Sequence, residues 1–145
     1  MGFEIISPYL ITIFVAWFGT HIVKYITVLI KKEKYGFRSH LFISGGMPSS
    51  HSTTAVALMT IIGFRDGISS GLFALSVLFA LIVMYDAVKV RRSSGEQGTA
   101  ICELIKEQKS SIKLPRVAKG HIPLEVIIGA IFGVLIGAVV FFSTT

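Results

Sequence analysis

Three stretches of this chain, Ile5 to Val23, Ile68 to Tyr85 and Val126 to Phe142, contain no Asp, Glu, Lys or Arg. Each approaches the roughly 20 apolar residues that a helix rising about 1.5 Å per residue needs to cross a bilayer. The hydrophobic fraction of 52% and mean hydropathy of +0.75 are high for a soluble domain of 145 residues. A fourth stretch, Ser52 to Phe64, is shorter, but extended from Pro48 to Arg65 it reaches about 27 Å. The expectation is an all-α integral membrane bundle of four transmembrane helices in a single domain, residues 1–145. The first stretch has no basic residues before it and no small-x-small site after it, so it reads as a retained helix rather than a cleaved signal.

Four crossings place the segments Lys31 to Met47 and Lys89 to Ile122 on one side, with both termini and the Phe64 to Gly67 link on the other. Of the 14 Lys and Arg residues, 12 fall in those two segments. The positive-inside rule then predicts cytoplasmic loops and outside termini. The net charge of +6 flanks apolar spans, which points to anionic headgroups or a phosphorylated substrate and not to nucleic acid. A single cysteine, Cys102, excludes an internal disulfide, and no metal or cofactor is implied.

Within the second loop, Ala100, Ile101, Leu104 and Ile105 recur at helical spacing. They predict an amphipathic helix from Glu96 to Lys109 after Ser93, Ser94 and Gly95, either lying on the membrane or extending the third helix. Lys109 to Gly120 reads as a mobile basic loop. In the last span Gly129, Gly133 and Gly137 form a small-xxx-small row, open to internal helix packing or to a homo-oligomer seam.

Polar side chains inside or at the ends of such helices are costly, which makes each a functional candidate. Pro48-Ser49-Ser50-His51 opens the second helix, where the unpaired N–H groups and positive dipole end attract anions and His51 is placed to exchange a proton. His121 and Glu125 stand four apart as the last helix begins, so the carboxylate can accept from the imidazole and orient it as a nucleophile. By the topology above, both histidines lie on one membrane face. Lys24 either snorkels toward the loop or points inward at an anion. Arg38, Arg91 and Arg92 carry guanidinium groups suited to phosphate, with ordinary topology charge as the plainer reading of each alone, and Asp86 is expected to pair with a nearby cation.

These residues, in this order, resemble the type 2 phosphatidic acid phosphatase superfamily, and most closely its divergent branch of small membrane proteins. The resemblance rests on Gly45-Gly46-Met47-Pro48-Ser49-Ser50-His51-Ser52, Val83-Met84-Tyr85-Asp86, Val90-Arg91-Arg92 and Gly120-His121-x-Pro123-x-Glu125-Val126. It implies a metal-independent phosphatase acting on lipid phosphates. His121 would form a phosphohistidine, Glu125 would replace the usual Asp, His51 would protonate the leaving oxygen, and Ser49 would contact phosphate. The superfamily pattern is a Lys, six residues and Arg-Pro; Pro-Ser-Gly-His; and Ser-Arg, five residues, His, three residues, Asp. Here Lys31 to Arg38 keeps the first spacing with Ser39 in place of Pro, and Lys24 is the preferred lysine. Ser50 stands for Gly, and Pro115, separated from His121 by five residues, stands where Arg is expected, so Arg91 or Arg92 would supply that contact. The alternatives are a membrane protein that binds lipid phosphates without turnover, or a vanadate-dependent oxidase of the related haloperoxidase type.

Overall fold

The computed structural model describes residues 7–31, 46–115, 117 and 120–145, and every regular element among them is helical. The elements are α1 (Pro8–Lys31), α2 (Ser50–Asp66), α3 (Gly71–Tyr85), a π-helical turn (Asp86–Val90), α4 (Arg91–Glu107) and α5 (Pro123–Ser143). Each new direction has a local cause. Ser49 caps α2 with its hydroxyl turned to Ser52, and Ser70 caps α3 by accepting from the N–H of Phe73 at 3.1 Å. Gly67, with φ of 84° and ψ of 149°, ends α2 in a positive-φ conformation open to glycine at little cost. Pro123 occupies the first turn of α5, where its missing N–H is not needed.

Helix α2 is the centre of the bundle and packs against α1, α3 and α5. On one side Ala57 and Ile61 meet Ala16 of α1 and Ile136 and Val140 of α5. On another, Ala55 and Val56 meet Ala80 of α3. The large apolar side chains mostly point outward instead: Phe14, Phe18, Leu75, Leu78, Ile131 and Leu135 are each at least half exposed. Small residues inside with large apolar ones outside is the arrangement of helices whose surroundings are hydrocarbon, because close backbone approach rather than water drives their association.

Three helical segments, Pro8–Thr27, Gly71–Glu107 and Pro123–Ser143, are long and apolar enough to cross a membrane. Helix α2 has 17 residues and a mixed sequence. Its threonines are satisfied within the helix: Thr53 Oγ1 donates to the Ser49 carbonyl at 2.9 Å, Thr54 to Ser50 at 2.9 Å and Thr60 to Val56 at 2.8 Å. A helix enclosed by three others faces protein, so it has no need of an apolar surface all round.

The glycine row is filled from within the chain. A Cβ on Gly129 would lie 2.9 Å from the Ser49 carbonyl oxygen, on Gly133 2.5 Å from that of Thr53, and on Gly137 2.7 Å from that of Ala57. All three glycines therefore face α2 and are buried.

Beyond α3 the bounds of one helix differ from expectation. The amphipathic helix starts at Arg91 and ends at Glu107, not Glu96 to Lys109; of its two expected placements it takes the extension of α3, so that Gly71–Glu107 is one helical run of 37 residues. Ser93, Ser94 and Gly95 lie inside it. Start signals matter only where a helix must nucleate, and here the preceding turn already supplies the carbonyl acceptors. The expected basic loop is irregular over its described residues, which fold back along α4. The Cys102 thiol meets the Pro115 carbonyl at 3.7 Å, and Val117 lies over Gly98.

Candidate functional site

The starts of α2 and α5 meet, and the glycine row is what lets them. With no side chain on Gly129, the backbone of Ser49 approaches closely enough for its N–H to donate to the Glu125 carbonyl at 3.2 Å. Ser49 is completely buried, and its hydroxyl oxygen accepts from the Ser52 hydroxyl at 3.0 Å. Ser50 beside it is also buried. His51 follows, exposed at the mouth of the helix.

His121 is 5% exposed, and its Nδ1 sits 2.7 Å from Glu125 Oε2. The same carboxylate oxygen accepts from the Ile122 N–H at 3.3 Å, which fixes the acid as well as the ring. With Glu125 as carboxylate, Nδ1 carries the proton and donates it, and Nε2 is the nitrogen with a lone pair. Nε2 has no hydrogen-bond partner among the described residues.

The loop before His121 is held against the third helical run. Gly120 packs on the backbone of Arg92, where a Cβ would lie 2.5 Å from the Arg92 Cα, and the His121 N–H donates to the Ala87 carbonyl at 3.1 Å. Ala87 lies in the π-turn. Arg91 at the end of that turn donates through Nε to Asp86 Oδ2 at 2.6 Å. Arg92 turns instead to Glu96 at 3.1 Å on an exposed face.

These pieces converge. His51 lies within electrostatic reach of Arg91, His121, Lys24 and Asp86, and Lys24 within reach of Glu125. The structure thus brings together Lys24, Ser49, His51, Asp86, Arg91, His121 and Glu125 from four helical elements and the π-turn, and leaves Arg92 on the outside of this cluster. Arg38 lies outside the described residues, as does the side chain of Lys31.

The arrangement combines a fixed, buried imidazole, a second imidazole at a helix start, and two cationic side chains. A family model described as the Divergent PAP2 family matches residues 6–136, most of the chain. The chain belongs to the Divergent PAP2 family. It is also similar to the "Uncharacterized membrane protein YuiD" of Bacillus subtilis (strain 168), at 39% identity over 108 residues, covering 64% of this chain and 68% of that protein. No solved structure matches.

For this member of the Divergent PAP2 family, sequence reasoning missed two contributors. The Ala87 carbonyl carries no side-chain signal at all. Gly120 was visible only as part of a motif; its reason is the contact with Arg92, which no local pattern reveals. The π-turn has no sign in the sequence either: Lys89, three residues on, offers Asp86 an ordinary helical partner, and only the structure pairs Asp86 with Arg91, five residues on.

Proposed function

We propose that the protein is a four-crossing membrane phosphohydrolase for lipid phosphates, working without a metal through a phosphohistidine on His121. The observation that carries this reading is the buried His121–Glu125 pair with its second ring nitrogen uncommitted, set against the start of α2. Nε2 would attack phosphorus, forming a P–N bond as the P–O bond to the lipid alcohol breaks. His51, protonated, would give its proton to the departing oxygen. Water would then attack the phosphohistidine, His51 taking up its proton, and the P–N bond would break to leave inorganic phosphate and free His121. Glu125 would stabilise the imidazole through the Nδ1–H. Lys24, Arg91 and the N–H groups at the start of α2 would offset charge on the transferring phosphoryl group.

Helix α2, at about 26 Å for its 17 residues, supports a fourth crossing because it sits enclosed by the three long apolar helices. In this topology the site opens on the side of the basic loops, taken as the cytoplasmic face. Protein reconstituted in lipid nanodiscs is expected to release phosphate from lipid phosphates. His121→Ala should abolish both release and any acid-labile phosphoenzyme; undiminished release in that variant refutes the mechanism. Ser50, buried where the superfamily pattern has glycine, favours a second reading, phosphate binding without turnover. Phosphate-dependent thermal stabilisation with no release across a broad lipid panel would select it.

A further inference from the structure

In an α-helix, residues five apart point about 140° away from one another, and each carbonyl accepts from the N–H four residues on. Asp86 and Arg91 break the first rule, their side chains meeting at 2.6 Å. The backbone breaks the second at the same place: the Arg91 N–H donates to the Asp86 carbonyl, five residues back. A turn closed in this way carries one extra residue and brings residue i+5 round over residue i. Arg91 is thereby rotated onto the face of Asp86, within reach of His51, while Arg92 falls on the outer face with Glu96. The Ala87 carbonyl, whose α-helical donor would have been the Arg91 N–H, accepts from the His121 N–H instead.

We propose that the π-turn Asp86–Val90 is the positioning device of the site: Asp86 is a positioning residue that aims Arg91, and not Arg92, at the phosphate, while the Ala87 carbonyl and Gly120 set the placement of His121. One extra residue thus does two things that a straight helix does not. It turns one of two adjacent arginines inward, and it exposes a backbone acceptor to which the loop carrying His121 docks. The proposal rests on the reading of this cluster as a phosphate site.

The test uses the full chain in detergent or nanodiscs, with inorganic phosphate as the binding probe, read by thermal stabilisation, and phosphate release from lipid phosphate vesicles as the kinetic readout. Arg91→Ala is expected to lose phosphate affinity roughly 10-fold or more, the scale of one charge-assisted contact. Arg92→Ala should change it by less than about 2-fold, as for an exposed ion pair. Asp86→Asn should weaken phosphate binding several-fold and raise KM, with Asp86→Glu restoring part of the loss. Gly120→Ala should lower kcat while phosphate affinity is kept. Melting of the unliganded variants identifies any that fail to fold, and in that event Asp86→Glu against Arg91→Lys supplies the comparison. Equal losses in the two arginine variants overturn the proposal. So does phosphate affinity in Asp86→Asn that is unchanged or higher, the result expected if the carboxylate merely repelled the anion. If the parent protein neither binds phosphate nor releases it, the phosphate-site reading fails and the proposal with it, whereas binding with the wrong ranking removes the proposal alone.

Discussion

Adding one methyl group at Gly133 tests the packing on which the site depends. A Cβ there would sit 2.5 Å from the Thr53 carbonyl oxygen, 2.9 Å from the Val56 Cβ and 3.0 Å from the Ala57 N. Two of these neighbours are backbone atoms of α2, so no rotamer change relieves the overlap. Ordinary contact begins near 3.4 Å, so α2 and α5 must separate by about 0.9 Å at this point (3.4 − 2.5). Overpacking of this kind costs about 1–3 kcal/mol, and in a membrane bundle close approach of small residues is a main source of helix association. Parting the helices also strains the Ser49 N–H to Glu125 carbonyl bond at 3.2 Å, one turn toward the site, so activity should fall with stability. The control is Gly71→Ala at the start of α3, where a Cβ meets nothing within 4 Å and no loss is expected. The assay is unfolding of both variants in lipid nanodiscs or mixed micelles against denaturing detergent. If Gly133→Ala unfolds at the parent midpoint, or Gly71→Ala costs as much, the glycine row is not holding α2 against α5.

Other consequences can be measured directly. In the proposed mechanism Glu125→Gln removes the charge that would stabilise the cationic ring of a phosphorylated His121 while keeping the shape, and phosphate release should fall by roughly 10²–10⁴ with little change in melting; an unaffected rate would show that the pair is only structural. Arg65 donates to the Thr144 carbonyl at 2.9 Å at the far end of the bundle, so Arg65→Ala should cost about 1.5–3 kcal/mol of stability and leave phosphate affinity alone; a loss of affinity would contradict the separation of the two ends. Cys102, the chain's one thiol, lies in α4 on the side of the basic loops. In intact cells a membrane-impermeant maleimide should leave it unlabelled until the membrane is opened, and labelling from outside would invert the topology.

Much of this architecture is legible in one dimension because its causes are local. The uncharged runs become α1, α3 and α5 because a helix in hydrocarbon has to satisfy its own backbone and present apolar side chains outward, and both requirements are met within a window of about 20 residues. The beginning of α2 is legible for a similar reason: Pro48 and Ser49 sit where a helix start has spare N–H groups. The His121–Glu125 contact follows from a separation of four on one helix face. Helix α2 is harder to judge as a crossing, because hydropathy asks whether a segment suits lipid while this helix is surrounded by protein.

The sequence by itself therefore determined the apolar spans, the helix starts and the two histidines with their carboxylate, all properties set by near neighbours along the chain. Only the tertiary structure decided which surface the glycine row meets, that α3 runs on through a π-turn into α4, and that Arg91 rather than Arg92 joins Lys24, His51 and His121. Each of those outcomes depends on a partner far away in sequence: the α2 backbone beneath Gly129, Gly133 and Gly137, and the His121 N–H that takes up the carbonyl left by the wide turn. A helix with one extra residue and a helix without it share the same local preferences. The balance between them is tipped by hydrogen bonds and close contacts that exist only once the bundle has assembled.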